Sequence, residues 1–172
     1  DFLFMYKRKY TGKGIGVAIL DTGIFPHIDF GRRILAFCDF TEGKSGPYDD
    51  NGHGTHVSGI LGGDGTASQG RYKGAAPGCG IVALKVLDRF GNGSREDVLQ
   101  AFQWIEDFGK IYNIRIVNIS VGTTSRSMNE QTDLLAGVEQ LWDKGFTVVA
   151  AAGNQGPGDG TVTAPGSSRK II

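Results

Sequence analysis

Ile15-Gly16-Val17-Ala18-Ile19-Leu20-Asp21-Thr22-Gly23 is the stretch whose reading decides the fold. Its apolar, β-branched run meets no polar residue before the Asp-Thr-Gly turn, the pattern of a strand buried on both faces. Similar runs recur at 34–40, 81–87, 114–121 and 146–152. Between the last three lie two amphipathic stretches. In the first, Ser94 with Asp97 three residues on resembles a capping box, and Val98, Ala101, Phe102, Ile105 and Phe108 follow at helical spacing. The second runs from about Glu130 to Lys144, sets Leu134, Leu135, Val138, Leu141 and Trp142 on one face, and stops at Gly145. Strand, helix, strand, helix, strand predicts an α/β domain: a parallel sheet with right-handed crossovers, layered between helices. Functional groups in such a sheet gather beyond the carboxyl ends of the strands. Asp21, the Ser120-Val121-Gly122 turn and Gly153-Asn154 should therefore share one rim.

Composition narrows the function. Lys plus Arg and Asp plus Glu both total 18 in 172 residues, so the net charge is zero, and no basic block supplies the field that phosphate backbones or anionic membranes require. Neither nucleic acid nor membrane is an expected partner. Glycine accounts for 28 residues, more than twice the average usage of about 7%, without a three-residue period, which indicates many tight turns in a globular chain. No apolar run approaches the ~20 residues of a bilayer span, and Lys7-Arg8-Lys9 follows the apolar Phe2-Leu3-Phe4-Met5-Tyr6, the wrong order for a signal peptide. Cys38 and Cys79 form no CxxC pair and are expected as two buried thiols. Gly12-Lys13-Gly14-Ile15-Gly16 precedes its strand instead of following one, which excludes a dinucleotide fingerprint. Lys170-Ile171-Ile172 opens another apolar run, so residues 1–172 are expected to be one incomplete domain.

Three positions carry the chemistry. Asp21 closes a buried strand, and Asp50-Asn51-Gly52-His53-Gly54-Thr55-His56 sets a histidine between glycines at an expected helix start. A buried carboxylate fixes an imidazole's tautomer and stabilises its protonated form, a general base awaiting a nucleophile. Ala150-Ala151-Ala152-Gly153-Asn154 ends a strand in small residues and one side-chain amide, a donor suited to an oxygen gaining negative charge in acyl transfer. Each position has a plainer reading. Asp21 alone would be a turn former, and Asn154 alone a left-handed turn residue. His53 and His56 lack the Glu of an HExxH zinc motif, and His27 reads as a loop histidine.

At these residues the sequence resembles the subtilisin-like serine peptidases. Val17-Ala18-Ile19-Leu20-Asp21-Thr22-Gly23, Asn51-Gly52-His53-Gly54-Thr55-His56 and Ala152-Gly153-Asn154 stand in the family's order. The resemblance implies that Asp21 and His53 belong to a catalytic triad and that Asn154 lines the oxyanion hole. It further implies that Ser120, Val121 and Gly122 face Gly91, Asn92 and Gly93 across an extended peptide, with Ala152 and Gly153 beside it. It requires no cofactor for chemistry. Structural calcium is an open implication, with Asp29 as one ligand, although Asp64 to Lys73 lacks the family's asparagine pattern. Thr11-Gly12-Lys13-Gly14 resembles the start of cytosolic bacterial members, which points toward the bacterial cytoplasm while the compartment stays open and secretion with it.

One departure matters most. The family's nucleophile sits in a Gly-Thr-Ser-(Met/Pro)-Ala stretch, and none occurs here; Ser167 and Ser168 read as loop serines. The expectation is a serine endopeptidase whose serine lies in the remainder of its own catalytic domain, leaving this chain inactive alone. The rival is a noncatalytic peptide-binding or pseudoprotease module. A nucleotide-binding module stands third, for want of a correctly placed glycine-rich turn.

Overall fold

The apolar run ahead of Asp21 becomes the central strand of a parallel sheet in a computed structural model that describes residues 10–122 and 128–172. The segment 1–9, with its Lys7-Arg8-Lys9 cluster, lies outside the described residues. Strands β1 (Gly16–Asp21), β2 (Ile34–Asp39), β3 (Gly80–Lys85), β4 (Ile114–Ile119) and β5 (Thr147–Ala150) pair in the order β2-β3-β1-β4-β5. All four pairings are parallel. The register sets Asp21 beside Lys85, and Lys85 beside Asp39, across three neighbouring strands.

Both faces of the sheet are covered, which is why β1 and β3 read as near-continuous apolar runs. Val17, Ile19, Ile81 and Ala83 pack with Ile24 and Phe30 on the face covered by α1 (His53–Gly62). On the other face Ala18, Leu20, Val82, Leu84, Val117, Ile119 and Val148 meet α2 (Arg95–Phe108) and α3 (Met128–Asp143). The three-layer α/β expectation holds. The capping box at Ser94 is formed: its hydroxyl accepts the Asp97 N–H at 3.0 Å, and Asp97 accepts the Ser94 N–H at 3.4 Å.

The strands end earlier than the apolar runs because the last residues of each run turn along the rim while remaining tied to it. Val86 and Leu87 both donate backbone N–H groups to the Asp21 carbonyl, at 3.0 and 3.2 Å, and Ser120 donates to Leu20 at 3.3 Å. Ile172 lies along β5, donating to the Val148 carbonyl and accepting from the Ala150 N–H. Two expectations need correction. Phe108, in the last turn of α2, is 40% exposed and leans on the Trp104 ring rather than the core. Cys79 is buried but Cys38 only half-buried; burial pushes both thiols up, with the Asp39 charge adding to the effect at Cys38. Among the described residues no helix is long and apolar enough to cross a membrane.

The sheet's rigidity rests on fully buried side chains such as Leu84, next to the rim residue Lys85. Leu84→Ala should cost about 2–5 kcal/mol through lost burial and an unfilled cavity, read as a lowered urea midpoint at unchanged slope.

Candidate active site

The first turn of α1 lies directly on the end of β1, and two glycines permit it. Gly23 has φ of 118° and backs onto the loop before α1; a Cβ there would fall 2.2 Å from the Tyr48 carbonyl oxygen. Ile24 donates to that same carbonyl at 3.0 Å, and Gly23 bridges to Asp49. A Cβ on Gly54 would fall 2.2 Å from the Gly23 carbonyl oxygen and 3.1 Å from Asp21 Oδ1. Only a residue without a side chain lets the two backbones approach so closely.

A helix start leaves N–H groups without intrahelical partners, and here surrounding side chains accept them. Asn51 Oδ1 accepts from the His53 N–H at 3.2 Å, Thr22 Oγ1 from Gly54 at 2.9 Å, and Asp49 Oδ2 from Thr55 at 2.9 Å. The Thr22 hydroxyl in turn donates to Asp49 Oδ1 at 2.9 Å. Burial alone pushes the Asp49 carboxyl up, but hydrogen bonds from Thr55, Gly52 and Thr22 outweigh it and hold the group at about 2.

His53 and Asp21 meet within this frame. His53 Nδ1 donates to Asp21 at 2.8 Å from Oδ1 and 3.0 Å from Oδ2, the acceptor-only carboxylate assigning the proton to that nitrogen. Asp21 Oδ1 also accepts the Thr22 N–H at 2.7 Å. The Asp21 side chain is 1% exposed and that of His53 53%. A buried, oriented carboxylate thus holds an imidazole whose second nitrogen, Nε2, remains free to accept a proton.

The remaining sequence candidates follow the carboxyl ends of β3, β4 and β5. Ala151 donates to Ile119 at 3.0 Å, which ties the end of β5 to the end of β4. A Cβ on Gly122 would lie 3.5 Å from Gly153 Cα and 2.9 Å from Thr163 Oγ1, a buried hydroxyl with no hydrogen-bond partner among the described residues. Ser120 Oγ accepts from Asn118 at 3.1 Å, Val121 is buried, and Ala152 accepts from the Thr163 N–H at 3.0 Å. Asn154 stands exposed in the following loop and makes no hydrogen bond to Asp21 or His53. Across β1, Asp88 closes the turn that holds Gly91, Asn92 and Gly93, accepting from Asn92 at 2.9 Å. Asn51 Nδ2 donates to Arg89 at 3.0 Å and joins that turn to the His53 loop.

Sequence reasoning missed Asp49 and Lys85. Asp49 was one acidic residue in a polar loop, and its capping role depends on the Gly23 contact; a Thr-Gly after the strand and an Asp four before His53 were the available signal. Lys85 sat in an apolar run with nothing to mark it as buried. His27 behaves as expected, its Nδ1 accepting the Asp29 N–H at 3.3 Å. With His56, Phe30, Ile60, Tyr72 and Lys73 it lines a separate cavity of about 400 Å³. No three His, Cys, Asp or Glu side chains converge as a metal centre among the described residues.

The calcium cage that the family resemblance attaches to Asp29 does not fit these residues. Asp29 Oδ1 accepts the Ala67 N–H at 2.6 Å and is tied to the loop by it. The Gly65 carbonyl is taken by Ser68 and Gly70 at 3.0 and 2.8 Å, and that of Thr66 by Gln69 at 3.2 Å. A cation is present already. Arg33 Nη1 donates to the carbonyls of Gly62 and Cys79 at 2.6 and 3.2 Å, Nη2 donates to the Asp29 carbonyl, and Nη2 lies 3.6 Å from Asp64 Oδ2.

With this geometry established, comparison with known proteins gives a consistent answer. Residues 12–172 match the family model described as the subtilase family, peptidase S8. The chain is 41% identical over 167 residues to the serine protease AprX of Bacillus subtilis (strain 168), covering 94% of this chain and 38% of that protein. It is 35% identical over 153 residues to subtilisin Savinase of Lederbergia lenta, covering 89% of this chain and 52% of that protein. The crystal structure of a cold adapted subtilisin-like serine proteinase superposes with a TM-score of 0.74 at 29% identity, over 91% of this chain and 52% of that one.

Two outcomes follow from the site's electrostatics. Hydrogen bonds outweigh the upward push of burial and hold Asp39, like Asp49, at about 2. A depressed carboxylate stabilises the fold above its unfolded value near 4, and the benefit disappears as pH falls through the folded value. Melting temperature should be flat from pH 7 to 5 and fall between about pH 4 and 2, and Asp49→Asn should flatten part of that fall. Arg33→Ala should lower the melting temperature by several degrees, whereas EDTA should leave the unaltered protein's melt within about a degree; a calcium-dependent melt would restore the cage.

Proposed function

The chain belongs to the subtilase family, and from that premise we propose that it is the part of a serine endopeptidase that holds the general base, its orienting carboxylate and the oxyanion amide. The observation that carries the reading is the 2.8 Å contact between half-exposed His53 and buried Asp21. The serine comes from the remainder of the catalytic domain, since no Gly-Thr-Ser stretch of the family's kind stands in these 172 residues.

In this reading the serine Oγ attacks the carbonyl carbon of an extended peptide while His53 Nε2 takes its proton. Asp21 stabilises the imidazolium that results. The carbonyl oxygen becomes an anion, and Asn154 Nδ2 is the side-chain donor that meets it. Collapse of this intermediate breaks the C–N bond, His53 returns its proton to the leaving amine, and water then repeats the sequence on the acyl ester. Residues 120–122 and 91–93 form the two walls of the peptide groove, and Ala152 and Gly153 leave room for a substrate side chain. No step needs a metal.

The 172-residue chain alone should neither cleave a fluorogenic peptide nor react with a serine-directed phosphonate, while the full-length protein does both; a full-length protein that takes no label is the noncatalytic peptide-binding module instead. In the full-length enzyme Asn154→Ala should lower kcat at least about tenfold with KM little changed, because the charge it meets exists only in the transition state. His53→Ala should cost more, and the His53/Asp21 double variant should fall far short of the product of its single effects, since the pair acts as a unit. A KM effect with kcat spared would reassign Asn154 to substrate binding.

A further inference from the structure

We propose that Lys85 is a positioning residue for the Asp21–His53 pair, a buried cation that fastens the strand bearing the carboxylate to the loop bearing the imidazole. The side chain is fully buried, and its three N–H donors are all used. They go to the Thr22 carbonyl at 2.7 Å, Asp50 Oδ1 at 2.8 Å and the Leu87 carbonyl at 2.7 Å. Thr22 follows Asp21 directly, Asp50 precedes His53 by three residues, and Leu87 donates its own N–H to the Asp21 carbonyl at 3.2 Å. One ammonium group therefore joins three segments of the rim at a single point.

Burying an ammonium costs several kcal/mol before pairing, and an apolar side chain at the end of a buried strand would cost nothing of the kind. Such a group is well suited to specifying one arrangement over its neighbours, because every displacement leaves a donor unpaired in a dry site. Lysine suits the geometry better than arginine: three pyramidal donors meet two carbonyls and a carboxylate converging on one point. The charges and titratable groups around it are consistent with a fixed post. Asp21 and Asp39 flank it in register on β1 and β2, and the Tyr48 ring lies 5.1 Å from Nζ. The Tyr48 hydroxyl donates to Asp39 at 2.6 Å, Lys44 Nζ also lies 5.1 Å from the Tyr48 ring, and Asp49 caps α1 beyond.

This inference rests on the protease reading, and its test separates the two. In the full-length protein, the low-field proton resonance of His53 Nδ1–H is compared among the unaltered protein, Lys85→Met, Lys85→Arg, Asp50→Asn and Asp50→Ala, together with kcat, KM and phosphonate labelling. Lys85→Met should broaden or abolish the resonance and lower kcat about tenfold or more, with KM within about twofold. Asp50→Asn, which keeps an acceptor, should stay near the unaltered protein, and Asp50→Ala should loosen the resonance. Lys85→Arg should fall between the two. A folded Lys85→Met that keeps the resonance and kcat overturns the proposal. If Lys85→Met fails to fold, equal spectra for Asp50→Asn and Asp50→Ala overturn it. An unaltered protein without peptidase activity or labelling overturns the protease reading alone, because the resonance reports positioning without turnover.

Discussion

Two backbones touch where the first turn of α1 meets the end of β1, and the rim is organised around that contact. Gly54 sits against the Gly23 carbonyl with no space for a side chain between them. The approach brings His53, one residue earlier, against Asp21, two residues before Gly23. It also brings the unpaired N–H groups of the helix start over Thr22 and Asp49, whose oxygens accept them. A helix beginning even one turn later would leave the imidazole out of reach and the Asp21 carboxylate buried without its partner, an arrangement far costlier than a lost surface contact.

That contact concentrates acidic groups in a small volume. Asp21, Asp39, Asp49 and Asp50 all lie at strand ends or in the loop between β2 and α1. Two are held as carboxylates by hydrogen bonds: Asp39 by Tyr48, Thr41, Glu42 and Lys44, and Asp49 by Thr55, Asn51, Gly52 and Thr22. Asp50 is paired with Lys85, and Asp21 with His53. Carboxylates held by N–H and O–H donors stay charged and still, and such preorganised dipoles do not have to reorganise when charge develops nearby. The turn of residues 88–93 belongs to the same unit through the Asn51 to Arg89 bond.

The opposite end of α1 is secured by a different cation. Arg33 gathers the carbonyls of Asp29, Gly62 and Cys79, so the helix is held at its start by side-chain oxygens of Asn51, Thr22 and Asp49 and at its finish by a guanidinium. The second placement matches the direction of the helix dipole, whose carboxyl end favours positive charge. Protein donors close the 64–73 loop where the family resemblance would have supplied metal.

The sheet and its layering were legible in the sequence because parallel strands buried on both faces cannot hide: Val17 to Leu20 and Ile81 to Leu84 are apolar throughout, and Val117, Ile119 and Val148 continue the buried face. The Asp21–His53 pair was legible because a strand end and a glycine-flanked turn leave their marks in adjacent residues. Phe108 kept its place in the helical spacing yet ended at the surface, since spacing specifies a face and not where the neighbouring layer stops. Lys85 was hidden among apolar residues, as burial of its ammonium requires three acceptors that come from positions 22, 50 and 87. Asp49 was hidden likewise, its acceptance of the Thr55 N–H of α1 depending on a bridge to Gly23. Local patterns in the chain determined the elements and the chemistry-bearing residues; only the tertiary structure decided which polar groups were buried together, because a charge survives burial through partners that lie far away in sequence and meet it only when the layers close.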